Sequence, residues 1–295
     1  MNDISKKILK NHAKTFYFAG LLLKKHTLDD AAILYTFCRQ LDDAVDKNHK
    51  NSPKKQLKYL VADYRNQVSI DPVNLAFKKI QKKYCLNQKF VDDLIDGISS
   101  DIDFKQPKSL RQLIYYSYQV AGTVGGMMAK ILGANNKNAW KFAVDLGIGM
   151  QLTNISRDVK EDSLNKRIYI PKDMLPQSFS PQDISTNRNN EMIFTKIKEI
   201  LEIAENYYKS GLEGIFYIPN KKNKFSILIA AQIYNKIGKK IIKNKFLFLK
   251  KRVYVNVFEK IYILMKNYLI QKRKCKLTEP IHKTNQLHKP YFTIL

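Results

Sequence analysis

Asp158 and Asp162 close the run Gln151-Leu-Thr-Asn154-Ile-Ser-Arg157-Asp158-Val-Lys-Glu161-Asp162, which carries two amides and two carboxylates at offsets of zero, three, seven and eleven. At ~100° per residue these offsets return to one face of a helix. An earlier run, Tyr35-Thr-Phe-Cys-Arg39-Gln-Leu-Asp42-Asp43-Ala-Val-Asp46, puts Asp42 and Asp46 on a second face with Arg39 on its flank. Like charges four residues apart destabilise a helix, so each pair calls for a compensating partner. The nearly all-apolar stretch 142–150 precedes Gln151, so the later stripe belongs to a buried helix, where unpartnered polar groups are costly. Two oxygen-rich faces across a cavity suit Mg²⁺, a hard cation that also grips substrate phosphates. The chemistry they suggest is ionisation of a diphosphate ester. Taken alone, Asp42 to Asp46 also reads as a solvated acidic surface.

Helices must hold these residues. Apolar residues recur at three- and four-residue spacing with hardly any alternation, which predicts an all-α chain. The spacing predicts helices over 4–24, 28–47, 54–68, 72–84, 88–100, 110–132, 136–163, 191–214, 226–244 and 253–274, with ends good to ~2–4 residues. Turn-forming residues separate them at 48–53, 106–108, 171–190 and 219–223, but none of these stretches reads as an interdomain linker. One helical domain over 1–276 and a polar tail over 277–295 is the simplest division, with a long loop at 175–190. Within the predicted 110–132 helix lies Val120-Ala-Gly122-Thr-Val124-Gly125-Gly126. Its glycines weaken a helix by ~1 kcal/mol each, so either tight helix packing or the close approach of a ligand must favour them.

Composition narrows the partners. Three cysteines, Cys38, Cys85 and Cys275, are odd in number and form no CxxC, which fits reduced thiols in a cytoplasmic protein. The amino terminus lacks the apolar core of a signal peptide, and the most apolar windows are about half a bilayer span. Net charge is +26, and residues 221–295 carry nineteen Lys and Arg against Glu259 and Glu279. Only eight of the 52 basic residues are Arg, and no nucleic-acid-binding motif is present, so nucleic acid is not an expected partner. The basic stretch reads equally as a solvated face or as a peripheral contact with the anionic inner face of a membrane.

The chain resembles the squalene and phytoene synthase family, the head-to-head prenyl transferases. The resemblance runs through His12-Ala-Lys-Thr15-Phe16, Tyr35 to Asp46, Val120 to Gly126, Gln151 to Pro171 and Ala230-Ala-Gln-Ile-Tyr234, in the family's order. Its wording is closest to bacterial phytoene synthases, notably Leu146 to Asp158 followed by Arg167-Ile-Tyr169-Ile-Pro171. Ala13 departs from a serine common among relatives, and Thr15 keeps a hydroxyl nearby.

The resemblance implies the isoprenoid synthase fold, a single-domain helical bundle around a central cavity. It implies that Asp42 and Asp46 hold Mg²⁺, or Mn²⁺ in its place, from one wall, and Asn154, Asp158 and Asp162 from the other. Arg39, Arg157 and Arg167 would neutralise phosphate, and Gln151, Tyr35, Tyr169 and Tyr234 would border the cavity with His12, Thr15, Phe16, Val120, Val124 and Gly125. The implied reaction joins two geranylgeranyl diphosphates through a cyclopropyl diphosphate to phytoene, without NADPH. Alternatives are a farnesyl diphosphate-using squalene or dehydrosqualene type, and a non-catalytic scaffold of the same fold. Carbocations must be kept from water, and Phe16, Phe18, Leu22, Val120, Val124, Met127, Met128, Leu146 and Met150 are candidates for a dry lining, each also readable as core. The small residues Gly20, Ala31 and Ala32 near Phe16 and Tyr35 would leave room for the twenty-carbon substrate.

Overall fold

A computed structural model of the chain describes residues 1–45, 52–186, 188–271, 279–283 and 288. Its elements are α1 (Asn2–His12), α2 (Lys14–Gly20), α3 (Lys25–Val45), α4 (Pro53–Arg65), α5 (Pro72–Tyr84), α6 (Gln88–Ser99), α7 (Leu110–Ser117), a π-helical turn (Tyr118–Gly122), α8 (Thr123–Ile131), α9 (Lys137–Leu164), α10 (Pro181–Ser185), α11 (Asn190–Glu213), α12 (Lys221–Lys243), α13 (Leu247–Lys250) and α14 (Val257–Gln271). No strand occurs among the described residues, as the helical periodicity predicts.

Local chemistry sets several of the starts. Asp71 caps α5 by accepting from the Val73 and Asn74 amides at 2.9 Å, with Pro72 in the first helical position. Asn136 accepts from the Asn138 amide at 2.8 Å to begin α9. Asn220 does the same for α12 through Lys222 and Asn223, which is why that helix starts at Lys221 rather than at 226.

Three predicted segments come out differently. The 4–24 helix breaks at Ala13, which leaves helical geometry at φ −130° and ψ 58°. The 110–132 helix contains the π turn, whose Tyr118 hydroxyl donates to buried Asp93 at 2.7 Å. The 175–190 loop holds α10, started by a reciprocal Ser180 and Asp183 cap with Pro181.

α9 is the spine, packed against α7, α8, α10, α11, α12 and α13. Phe142, Val144, Leu146, Ile148, Leu152, Ile155 and Val159 are all buried, so the helix is apolar nearly all round until its polar stripe begins. Close approach explains two glycines. A Cβ on Gly125 would lie 2.2 Å from the Ala143 carbonyl oxygen, and one on Gly147 would lie 2.3 Å from that of Ala121. Helix packing therefore requires both, and the same contact places Gly125 and Gly147 beside the central cavity.

The expected boundary at 276 lies outside the described residues. Part of the following stretch packs onto the spine: the Tyr217 hydroxyl donates to the Pro280 carbonyl at 2.7 Å, and His282 and His288 place Nε2 at 2.8 and 3.2 Å from the Asp145 carboxylate on α9. Burial alone would push the Asp145 carboxyl up, but these imidazoles and the Ser210 hydroxyl hold it below the usual range. No described helix is long and apolar enough to cross a membrane.

Candidate active site

Between α2, α3, the π turn, α8, α9, α11 and α12 lies a cavity of about 300 Å³. Most of its wall is aliphatic or aromatic, with Phe16, Ala31, Val120, Val124, Leu146 and Met150 among the lining residues. Polar side chains gather at one part of the wall: Tyr35 and Asp42 from α3, and Gln151 and Asn154 from α9. The two aspartate-bearing helices thus face one space, as their residue types suggest. Asp46 falls outside the described residues.

On α3, Asp42 is exposed at the rim. Burial, reinforced by Asp42, raises the Cys38 thiol well above its ordinary range. Burial likewise pushes the Tyr35 hydroxyl up to about 12, against the opposing pull of Arg39, so it stays a neutral donor at physiological pH. Arg39 itself pairs with Asp43 at 2.5 Å, one turn away on the same helix. It is not among the lining residues.

On α9, Asn154 donates to the Gln151 amide oxygen at 3.3 Å, while its own buried Oδ1 has no hydrogen-bond partner among the described residues. Asp158 is held by two arginines. Arg157 Nε and Nη2 reach its two oxygens at 2.8 and 2.5 Å, and Arg252 Nη2 approaches at 3.1 Å while its Nη1 lies 3.4 Å from Glu161. Desolvation works against the charge on Arg157, but the Asp158 pair more than restores it.

Asp162 lacks such compensation. Burial, with Asp158 and Glu161 adding repulsion, lifts its carboxyl to about 8, and Arg167 offsets this only in part. A half-buried carboxyl that is reluctant to ionise and, two turns earlier on the same helix, a buried amide oxygen with no donor mark a face short of positive charge. All of these donors are oxygens, the ligand type that Mg²⁺ prefers. The residues therefore fit a hard divalent cation.

Arg167 and Tyr169 reach a neighbouring cluster. Arg167 Nη2 donates to the Asp101 carbonyl at 3.1 Å, and the Tyr169 and Tyr116 hydroxyls donate to the Asp101 carboxylate at 2.9 and 2.7 Å. The Tyr169 ring stacks on Tyr116 at 5.1 Å, and both border a second pocket that shares no lining residue with the first. Tyr234 is buried and stacked on Phe16 at 4.9 Å, and burial, only partly opposed by Arg157, raises its hydroxyl.

Several expected neighbours lie elsewhere. His12 is exposed at the end of α1, and neither it nor Thr15 lines the cavity. Phe18, Leu22 and Met127 pack in the core instead of lining the space, as does Ala32, whereas Gly20 and Ala31 do line it. Sequence reasoning missed Asp101, Tyr116 and Arg252. Scarcity was the available signal for Arg252, because a chain with 44 Lys and eight Arg places Arg39, Arg157, Arg167 and Arg252 around these acids.

Asp158 and Asp162, a turn and two turns beyond Asn154, are not among the lining residues. A wholly helical chain whose spine and a facing helix bring Gln151, Asn154 and Asp42 to one apolar cavity has the isoprenoid synthase fold. The chain belongs to the squalene/phytoene synthase family, whose pattern it matches over residues 9–259. A 15-cis-phytoene synthase of Paracoccus sp. is 32% identical over 257 residues, covering 82% of this chain and 84% of that one. A second, from Enterobacter agglomerans, is 29% identical and covers 78% and 82%. Among solved structures, a dehydrosqualene synthase in complex with ligand superposes with a TM-score of 0.79 at 26% identity, covering 92% of this chain and 97% of that one. A squalene synthase from Alicyclobacillus acidocaldarius, at 18% identity and a TM-score of 0.74 over 83% and 94%, shares the fold.

Proposed function

We propose that this chain is a phytoene synthase, joining two geranylgeranyl diphosphates head to head through prephytoene diphosphate to phytoene, with release of both diphosphates, in carotenoid biosynthesis. The carrying observation is the polarity of the cavity: an apolar wall with Asp42, Gln151 and Asn154 gathered together on it. Such a space suits a molecule with a charged head and a long hydrocarbon body. The names of the 32% and 29% identical relatives support the twenty-carbon substrate.

Asp42, with Asp46 expected beside it, and Asn154, Asp158 and Asp162 would hold Mg²⁺, or Mn²⁺ in its place. Bound there, the ions supply Lewis acidity that stabilises departing diphosphate. Arg157 and Arg252 pair with Asp158 and, when substrate binds, would exchange that carboxylate for phosphate oxygens, which match their planar forks. Tyr35 presents a neutral hydroxyl to the cavity. Phe16, braced by Tyr234, offers an aromatic face to an allylic cation, and the apolar wall keeps water from it. Each half-reaction ends in proton loss, so no NADPH is required. Substrate and product are both lipid-like, which favours peripheral contact with an anionic membrane through the basic carboxy-terminal third.

Asp42→Asn and Asp158→Asn, in protein that keeps its helical circular dichroism, should each lower turnover by roughly 100-fold or more. Near-normal rates in both would remove these residues from the site. Likeness to a dehydrosqualene synthase favours a second reading, condensation of two farnesyl diphosphates. A thirty-carbon hydrocarbon formed faster than the forty-carbon one, with each diphosphate supplied separately, would select it.

A further inference from the structure

α14 is amphipathic the wrong way round for a water-facing helix. Val257, Phe258, Ile261, Tyr262, Met265 and Leu269 are between 48% and 80% exposed. At ~100° per residue they fall within one arc of ~140°, and no charged residue shares that arc. The opposite side carries the polar contacts: Glu259 pairs with Lys240 at 2.8 Å, and Asn267 bonds to the Ile263 carbonyl. A continuous exposed stripe of this length marks an interaction surface.

Charge decides what covers it. Exposed Lys250, Lys251 and Arg252 precede the stripe, and Lys266 flanks it. Lys260 ties the helix to the α1–α2 junction, where Lys10 and Lys14 are also exposed. A second copy of this chain would bring another +26 against that rim. An anionic bilayer supplies both the apolar interior and the opposite charge.

We infer that α14 is a docking helix that inserts its outward face into an anionic phospholipid surface and sets the mouth of the active site against that surface. The placement follows from Arg252, which lies five residues before Val257 and is ion-paired to Asp158 and Glu161. Docking through α14 therefore brings Asp158 and Glu161, on the helix that carries Gln151 and Asn154 to the cavity, towards the headgroup layer, where a prenyl diphosphate would present its head with its chain in the lipid. This consequence rests on the prenyl diphosphate reading, whereas the docking itself does not.

The test uses the full chain and vesicles of phosphatidylcholine alone or with about a third phosphatidylglycerol. Sedimentation should show binding to the anionic vesicles, weakened by salt. Phe258→Glu with Ile261→Glu should lower it at least tenfold, with circular dichroism unchanged. The fluorescence that Met265→Trp adds to that of Trp140 should shift to shorter wavelength on vesicle addition and be quenched by brominated lipid. Equal binding to neutral vesicles, binding unaffected by the double substitution, or a dimer that the double substitution dissociates would each overturn the inference. Turnover of geranylgeranyl diphosphate in detergent micelles separates the two readings. Hydrocarbon formed there by the double variant leaves the chemistry standing whatever the vesicles show, and vesicle docking without any hydrocarbon leaves α14 standing alone.

Discussion

Asp162→Asn should stabilise the metal-free protein, by an amount that grows with pH. The fold lifts this carboxyl from 3.8 to about 8, through burial and then the charges of Asp158 and Glu161. Between those values the folded state keeps a proton that the unfolded state has released. Raising the pH therefore favours unfolding by ~1.4 kcal/mol per unit from this group. The stability is fully present below 3.8 and is lost as pH rises to and through about 8. Asn cannot ionise, so its stability curve lacks that slope, while the other titrating groups are common to both proteins. From pH 5 to pH 7 the gap between variant and wild type should widen by ~2–3 kcal/mol, less whatever relaxation and water entry relieve. Urea unfolding in EDTA at pH 5, 6 and 7, followed by circular dichroism, measures it. Parallel curves would refute the claim that Asp162 sits in a field needing a cation. Adding Mg²⁺ with diphosphate should stabilise wild type and leave the variant nearly unmoved.

Ala31 lines the cavity, so Ala31→Phe should fill it and lower the ratio of geranylgeranyl to farnesyl diphosphate turnover by roughly tenfold or more, read by competing the two substrates; an unchanged ratio would show that Ala31 does not gate chain length. Because Arg252 is mostly exposed, Glu161 is too, and the more buried Asp158 keeps its Arg157 partner, Arg252→Ala should change unfolding free energy by less than ~1 kcal/mol. Its kcat/KM should nonetheless fall about tenfold if the guanidinium takes up phosphate, and unchanged kinetics would confine it to a surface ion pair.

The chemistry was more legible in the residues than the shape that holds it. Gln151, Asn154, Asp158 and Asp162 share a helix face by arithmetic alone, and the apolar run 142–150 announces that the helix is buried. Helix interiors were equally plain, since their spacing repeats over several turns. Breaks were not: Ala13 carries no turn signal, and the π turn at Tyr118–Gly122 makes its side-chain contact to Asp93 on α6 rather than within its own helix. Long-range partners escaped for the same reason. Nothing local ties Arg252 to Asp158 or Asp101 to Tyr169, and His282 and His288 lie in a stretch with no helical period although they close on Asp145. Composition showed the basic carboxy-terminal third, but only the burial of Ile263 and the exposure of Phe258 reveal that α14 turns its apolar face outward.

The central claim is most directly tested by incubating the purified protein with geranylgeranyl diphosphate and Mg²⁺, extracting into organic solvent and weighing the hydrocarbon by mass spectrometry. Phytoene, a forty-carbon hydrocarbon that disappears when EDTA is added or Asp158→Asn is introduced, is the predicted result. No hydrocarbon from this substrate, or one that forms equally well in EDTA, would contradict it.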